Sequence, residues 1–246
     1  MKFVESTAAE IERVRKDEVV VIAPIAACEQ HSTHLPVFTD SILCGAIADR
    51  VEAALPESTL LLPVLWLGAS EHHLPFGGTL TATLPTYEQV LVELLAPMLE
   101  SGFRRMFFLN GHGGNVDPFR AALRRLDVRF PRAILTGAAY WHIAEKELAA
   151  LCRGPLKTVG HACEIETAMM LHLRPELVRS DRIVDDPDMN PAALSGLTWA
   201  RDFGRKTDHG AVGFPSFATA ATGKAMFESV VARVSAVVSA IREELE

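Results

Sequence analysis

The chain has 246 residues, of which 49% are hydrophobic and 22% charged, a composition typical of a globular protein with a large core and unlike that of a disordered segment. Acidic residues outnumber basic ones, and the formal net charge of -7 argues against nucleic acid or an anionic membrane surface as a partner. The N-terminus lacks the apolar core of a signal peptide, and no apolar run approaches the roughly 20 residues that span a bilayer, so a cytoplasmic enzyme is expected.

Helices and strands are predicted to alternate along the chain. Thr7 and Glu10 have the spacing of a capping box, which predicts a helix over residues 7–16, and a continuous apolar run predicts a buried strand over 19–25. Further helices are predicted over 40–55, 86–102, 116–130, 161–173 and 223–246, and further strands over 59–66, 105–110 and 133–139. This alternation predicts one α/β domain over residues 1–246, with a mostly parallel central sheet covered on both faces.

Residues 174–217 form the longest connection without a clear periodic pattern, and they are rich in Pro, Asp and Gly. A connection of this length is often functional. We expect the segment around Trp199 and Phe203 to act as a pocket lid or a subunit contact, with a packed surface loop as the alternative.

The loop after the first predicted strand carries three potential metal ligands within twelve residues. Glu29 and His31 are two positions apart, so in extended chain their side chains lie on one face, and Asp40 at the start of the next helix can fold back over them. One carboxylate could then bridge two ions. In a parallel sheet such loops share one rim at the carboxyl ends of the strands, where ligands bind.

Two further segments add candidates to that rim. His112 follows the predicted strand 105–110 within the sequence Asn-Gly-His-Gly-Gly-Asn, whose glycines allow the backbone to approach a ligand closely. Glu164 and Glu166 lie near the start of the predicted helix 161–173, roughly 200° apart around its axis, so only one of them can face a metal centre. Together the candidates mix nitrogen and oxygen ligands, which suits zinc, manganese or iron.

These residues resemble the creatininase family of metal-dependent amidohydrolases, and the resemblance covers nearly the whole chain. Its most specific part is the pattern EQH-x-x-HLP-x-x-TD over residues 29–40, and the remaining matches lie at 68–79, 110–115 and 161–167, with a weaker one at 210–223. The resemblance implies a three-layer α/β/α fold and a homo-oligomer, specifically a hexamer.

The resemblance also implies roles for individual residues. Glu29, Asp40 and His112 would hold one divalent ion, and His31, Asp40 and Glu166 would hold a second, with Asp40 as the bridge. His161 would transfer a proton near the scissile nitrogen, and Ser70 would lie in the substrate pocket. We expect Glu164 to orient His161.

The expected activity is hydrolysis of a C–N bond in a small cyclic amide or a formamide by a metal-activated water. Creatinine itself is not the expected substrate, because Gly113 and Gly114 stand where creatininase has Tyr and Glu. The ligand set leaves two alternatives open: a metal-dependent peptidase that acts on a short precursor peptide, and a non-catalytic, metal-stabilised binding or assembly protein.

Overall fold

A computed structural model describes residues 1–187, 197 and 199–244. Its described residues form a four-stranded sheet of β1 (Val20–Ile25), β2 (Thr59–Leu61), β3 (Arg105–Asn110) and β4 (Ile134–Ala139), in the order β2-β1-β3-β4. Every neighbouring pair of strands is parallel. The sheet is therefore parallel throughout, as the alternation of helices and strands predicted.

The helices connect these strands and cover the sheet. They are α1 (Ala8–Glu12), α2 (Thr39–Ala54), α3 (Leu84–Glu100), α4 (Val116–Arg129), α5 (Tyr140–Ile143), α6 (Glu145–Leu151), α7 (Glu164–Leu173) and α8 (Ala220–Glu243). None of the helices in the described part of the chain is both long enough and apolar enough to cross a membrane.

Two hydrophobic cores lie on opposite faces of the sheet. Val20 and Ile22 of β1 contribute to one core, which α2, α7 and α8 cover, whereas Val21 and Ile25 contribute to the other, which α3 and α4 cover. This alternation follows from the two-residue period of a strand. The three-layer α/β/α fold is confirmed.

The structure differs from the sequence prediction in several places. The predicted strand 59–66 ends at Leu61, because Pro63 cannot donate to the sheet. The first helix spans only five residues, although its predicted capping box at Thr7 is present. Helices α5 and α6 were not predicted, and α7 begins at Glu164, three residues later than expected. The last two residues of the predicted helix 223–246 lie outside the described residues.

Candidate metal centre

The candidate ligands converge at the carboxyl edge of the sheet. Glu29 and His31 lie in the loop after β1, and His112 lies two residues beyond the end of β3. Asp40 occupies the first turn of α2, and Glu166 the first turn of α7. All five side chains are buried. Four separate elements of the chain therefore build one cluster.

Glu29, Asp40 and His112 form the first potential ligand group. Nδ1 of His112 lies 3.1 Å from Oε1 of Glu29 and 3.1 Å from Oδ2 of Asp40. The Asn110 side chain fixes the backbone of His112, because it donates to the His112 carbonyl at 2.7 Å and accepts from the His112 N–H at 3.1 Å. The ligand atoms of the group all lie within 4.8 Å of one another.

His31, Asp40 and Glu166 form a second group that meets the same limit. Nε2 of His31 lies 3.1 Å from Oδ1 of Asp40 and 3.8 Å from Oε1 of Glu166. The other ring nitrogen of His31 lies 3.1 Å from the Glu29 carbonyl oxygen, so a hydrogen bond to the backbone orients the ring. Asp40 belongs to both groups and presents one oxygen to each.

The polar atoms of the cluster fit divalent cations. Both carboxylate oxygens of Glu29 and Oδ2 of Asp40 are buried, and no donor among the described residues makes a well-aligned hydrogen bond to them, although imidazole nitrogens lie 3.1–3.2 Å from Glu29 Oε1 and Asp40 Oδ2. Buried carboxylate oxygens without hydrogen bonds are costly unless a cation compensates them. Carboxylate and imidazole ligands of this kind suit zinc, manganese or iron.

The electrostatics of the cluster also favour positive charge between its side chains. Burial alone would lower the pKa of both ligand histidines, but Glu29 and Asp40 raise the pKa of His112 to about 10, and Asp40 together with Glu166 raises the pKa of His31 well above its usual value. Burial raises the pKa of Glu29. The cluster thus draws either protons or metal cations to its centre.

His161 adjoins the first ligand group, and its backbone partner sets its tautomer. Its Nε2 lies 2.6 Å from the Gln30 carbonyl oxygen, a geometry in which Nε2–H donates. The opposite nitrogen, Nδ1, then faces Glu29 Oε1 at 3.6 Å as a proton acceptor or ligand atom. His161 consequently forms a third possible ligand group with Glu29 and His31.

His73 and Gln30 contribute to the centre by orienting Glu29. The Gln30 amide oxygen accepts from the Ser32 N–H, which leaves its NH₂ group to face Nδ1 of His73 at 2.9 Å. Nδ1 is therefore the acceptor, and the protonated Nε2 lies 3.2 Å from Glu29 Oε1. His73 thus orients a ligand carboxylate.

Two expected catalytic residues have other contacts. The Ser70 hydroxyl lies 3.2 Å from Nε2 of His112, so Ser70 orients a potential ligand and does not line the cavity. The Glu164 carboxylate accepts from the backbone N–H groups of Arg153 and Gly154 at 2.7 and 2.8 Å. It therefore anchors a loop, and the expectation that it orients His161 does not match these contacts.

Backbone strain lies directly beside two of the site histidines. Within the described residues, Ser32 (φ 58°) and Ala162 (φ 46°) are the non-glycine residues with positive φ. Ser32 follows His31, and Ala162 follows His161. Such conformations persist where the surrounding structure enforces them, and they concentrate at functional sites.

A cavity of about 370 Å³ opens onto the cluster, and we call it the metal cavity. Phe203 lies in its wall, stacked on His73 at 4.0 Å between ring centroids and 4.8 Å from the His161 ring. Phe203 comes from the long connection 174–217, so part of that segment covers the site, as a lid would. Trp141 and Lys206 line the same cavity.

Buried carboxylates and imidazoles that surround a cavity at the carboxyl edge of a parallel sheet are typical of metal-dependent hydrolases. The family model for creatininase, described as creatinine amidohydrolase, matches residues 4–238. The chain belongs to the creatininase family.

Similar proteins within this group differ in the substrates that their names give. A mycofactocin precursor peptide peptidase of Mycobacterium tuberculosis is 31% identical over 227 residues, which cover 86% of this chain and 81% of that protein. A 3-dehydro-scyllo-inosose hydrolase of Thermotoga maritima is 29% identical over 177 residues, or 71% of this chain and 56% of that protein. A solved structure of a mutant creatininase of Zn–Zn type is 25% identical, with a TM-score of 0.83 over 99% of this chain and 98% of that one.

Proposed function

We propose that this protein hydrolyses the C–N bond of an amide, with two divalent metal ions held by the buried cluster. The observation that carries the proposal is the pair of ligand groups that share Asp40 beside a cavity. Glu29, Asp40 and His112 would hold one ion, and His31, Asp40 and Glu166 the other. The similarity to a creatininase of Zn–Zn type supports zinc as one of the metals.

Ions bound there would activate water and polarise the carbonyl group of the substrate. The protein supplies the orientation of the ligands. The Glu29 carbonyl fixes the ring of His31, and Ser70 together with the Ala69 carbonyl contacts the outer nitrogen of His112. These contacts leave the opposite nitrogen of each ring directed at the carboxylates, which reduces the reorganisation that binding requires.

His161 is the proposed proton-transferring residue. Because Nε2–H donates to the Gln30 carbonyl, Nδ1 is the atom that accepts a proton from the site and returns it to the leaving amine. Burial and the nearby His31 lower the pKa of His161 well below its ordinary value, so the ring is neutral at rest and, once protonated, gives its proton up readily to the leaving amine. General acid–base assistance of this kind contributes about 10² to 10⁴ in rate.

The size of the metal cavity limits the reacting part of the substrate. A cavity of about 370 Å³ is at the small end of ligand sites and suits a cyclic amide, a formamide or one end of a short peptide. The 31% identity to a precursor peptide peptidase supports the peptide end as a second candidate. Both candidates share the same bond type and the same proposed catalytic groups.

Metal content of the purified protein tests the proposal. We expect about two equivalents in the wild type, one for each ligand group, and a steep loss in Asp40→Asn because that side chain serves both groups. Asp49→Asn is the matched control, since Asp49 lies on the same helix, is half exposed and pairs with Lys2. A wild-type protein that remains metal-free after reconstitution would overturn the proposal.

A second experiment separates catalysis from metal-stabilised binding. His161→Gln should keep its fold and metal, yet hydrolyse the best substrate from a panel of cyclic amides, formamides and short peptides about 10² to 10⁴ times more slowly. A folded, metal-loaded wild type that hydrolyses nothing in the panel would favour the non-catalytic alternative. Full activity in His161→Gln would refute only the proton-transfer role assigned to His161, and the proposed hydrolysis would stand.

A further inference from the structure

His72 lies in the wall of the metal cavity, and its ring nitrogens form no hydrogen bond with the described part of the chain. It occupies a short 3-10 turn, Glu71–His73, and its side chain is half-buried. The other histidines of the cluster each hold both ring nitrogens within 3.6 Å of a polar atom of the protein, and they are His31, His73, His112 and His161. The hydrogen-bonding capacity of His72 is thus left for a molecule in the cavity.

Packing against neighbouring rings holds the imidazole of His72 in place. It stacks on His112 with 5.7 Å between ring centroids and 20° between ring planes, and it lies 4.4 Å from the ring of His73 and 5.8 Å from that of Phe203. A Cβ atom at Gly114 would lie 2.8 Å from Cε1 of His72, so the glycine leaves the space that the ring fills. The ring is therefore positioned without the use of a nitrogen, which lowers the entropic cost of binding a ligand there.

His72 and His161 flank different ligand groups. His72 stacks on His112, which belongs to the first group, whereas the ring of His161 lies 4.3 Å from that of His31, which belongs to the second. Both flanking histidines line the metal cavity. A substrate amide that lies across the two groups, with its nitrogen at His161, would therefore have its acyl part next to His72.

We propose that His72 is a specificity-determining residue that hydrogen-bonds a polar group on the acyl side of the scissile amide. The inference rests on the proposed hydrolysis, and it narrows the substrate class to amides with a hydroxyl, an amine or a second amide beside the scissile carbonyl, such as hydroxy acid amides or peptides. A formamide has no such group. A neutral imidazole offers one donor and one acceptor, so it suits each of these partners.

The test measures the binding of two probes to the zinc-loaded protein by calorimetry: propionohydroxamate and 2-hydroxypropionohydroxamate. Both probes carry the same zinc-binding hydroxamate, so the ratio of their affinities isolates the effect of one hydroxyl on the acyl side. The wild type should bind the hydroxylated probe about fivefold or more tightly, which is the typical net gain from one hydrogen bond.

Three variants assign this preference to His72. His72→Phe keeps an aromatic ring on His112 but loses both nitrogens, so the preference should disappear, whereas His72→Gln keeps a donor and an acceptor and should retain part of it. His142→Phe is the matched control, because His142 lines the same cavity but is exposed, and the preference should stay at its wild-type value. Thermal unfolding and zinc content confirm that each variant is folded and loaded.

Equal affinity of the wild type for both probes, or no detectable binding of either, would overturn the inference. A preference that persists in His72→Phe, or that His142→Phe abolishes, would also overturn it, because the hydroxyl would then bind elsewhere in the cavity. These outcomes leave the proposed hydrolysis untouched as long as the loaded enzyme cleaves an amide. Failure of the protein to bind metal is a separate result that refutes the proposed function.

Discussion

Gly114→Ala should disturb the metal centre although glycine 114 supplies no ligand. A Cβ atom at this position would lie 2.1 Å from the Ala69 carbonyl oxygen, 2.5 Å from Nε2 of His112 and 2.8 Å from Cε1 of His72. Cβ contacts under 3.0 Å are essentially absent from proteins, so the carbonyl must move by about 0.9 Å. Because that carbonyl also lies 3.2 Å from Nε2 of His112, the ligand ring must move with it.

Overpacking of this kind costs about 1–3 kcal/mol, which corresponds to a fall of roughly 0.5–1.5 M in the urea midpoint at an m value of about 2 kcal/mol/M. The urea midpoint of unfolding and the metal content should both be lower in Gly114→Ala than in the wild type. Gly113→Ala is the control, because a Cβ atom at position 113 meets nothing within 4 Å. Equal stability and equal metal content in the two variants would refute the steric argument.

Three other predictions follow from buried polar groups. Glu164→Ala should lower the unfolding free energy by about 1–3 kcal/mol, because it leaves the buried N–H of Gly154 and the partly buried N–H of Arg153 without an acceptor, yet it should keep its metal. Glu176→Ala at an exposed site should change neither, and loss of metal in Glu164→Ala would contradict a purely structural role. Burial lowers the pKa of His34 to about 4, so the unfolded state binds more protons and stability should fall as the pH drops from about 6.5 towards 4, by up to about 3 kcal/mol, with a shallower decrease in His34→Gln on metal-free protein. Burial raises the pKa of Cys152 to about 11 and that of Cys163 further, so neither thiol should react with a disulfide reagent at pH 8 before the protein unfolds; rapid labelling of the native state would show that they are accessible.

The arrangement of the sheet and the convergence of the ligands could be predicted from the sequence. Apolar runs mark β1 and β3 because the central strands of a covered parallel sheet are buried on both faces. The carboxyl ends of such strands share one edge, which explains why the candidates after β1 and β3 meet although 81 positions separate His31 from His112. The sequence also indicated that the Asp40 side chain reaches Glu29 and His31, because Asp40 lies at the start of the helix that follows their loop.

The contacts that orient the ligands could not be predicted in the same way. The path from the Ser32 N–H through the Gln30 amide to His73 depends on side-chain rotamers and on the backbone of Gly210, more than a hundred residues away. Glu164 lies in the helix position that the sequence indicated, but the partner of its carboxylate is a loop whose course no periodic pattern encodes. Sequence patterns specify which face a residue occupies, and not which atom it contacts.

The positive φ angles at Ser32 and Ala162 restrict how this sequence can change over evolution. Side chains branched at Cβ are strongly disfavoured in that conformation, whereas glycine and asparagine adopt it readily. Among natural relatives with the same site, we therefore expect Gly, Asn, Ser or Ala at these two positions and an absence of Val, Ile and Thr. A substitution at either position would shift the backbone beside His31 or His161 while every ligand residue kept its identity, so these two positions should be conserved wherever the site is still under selection.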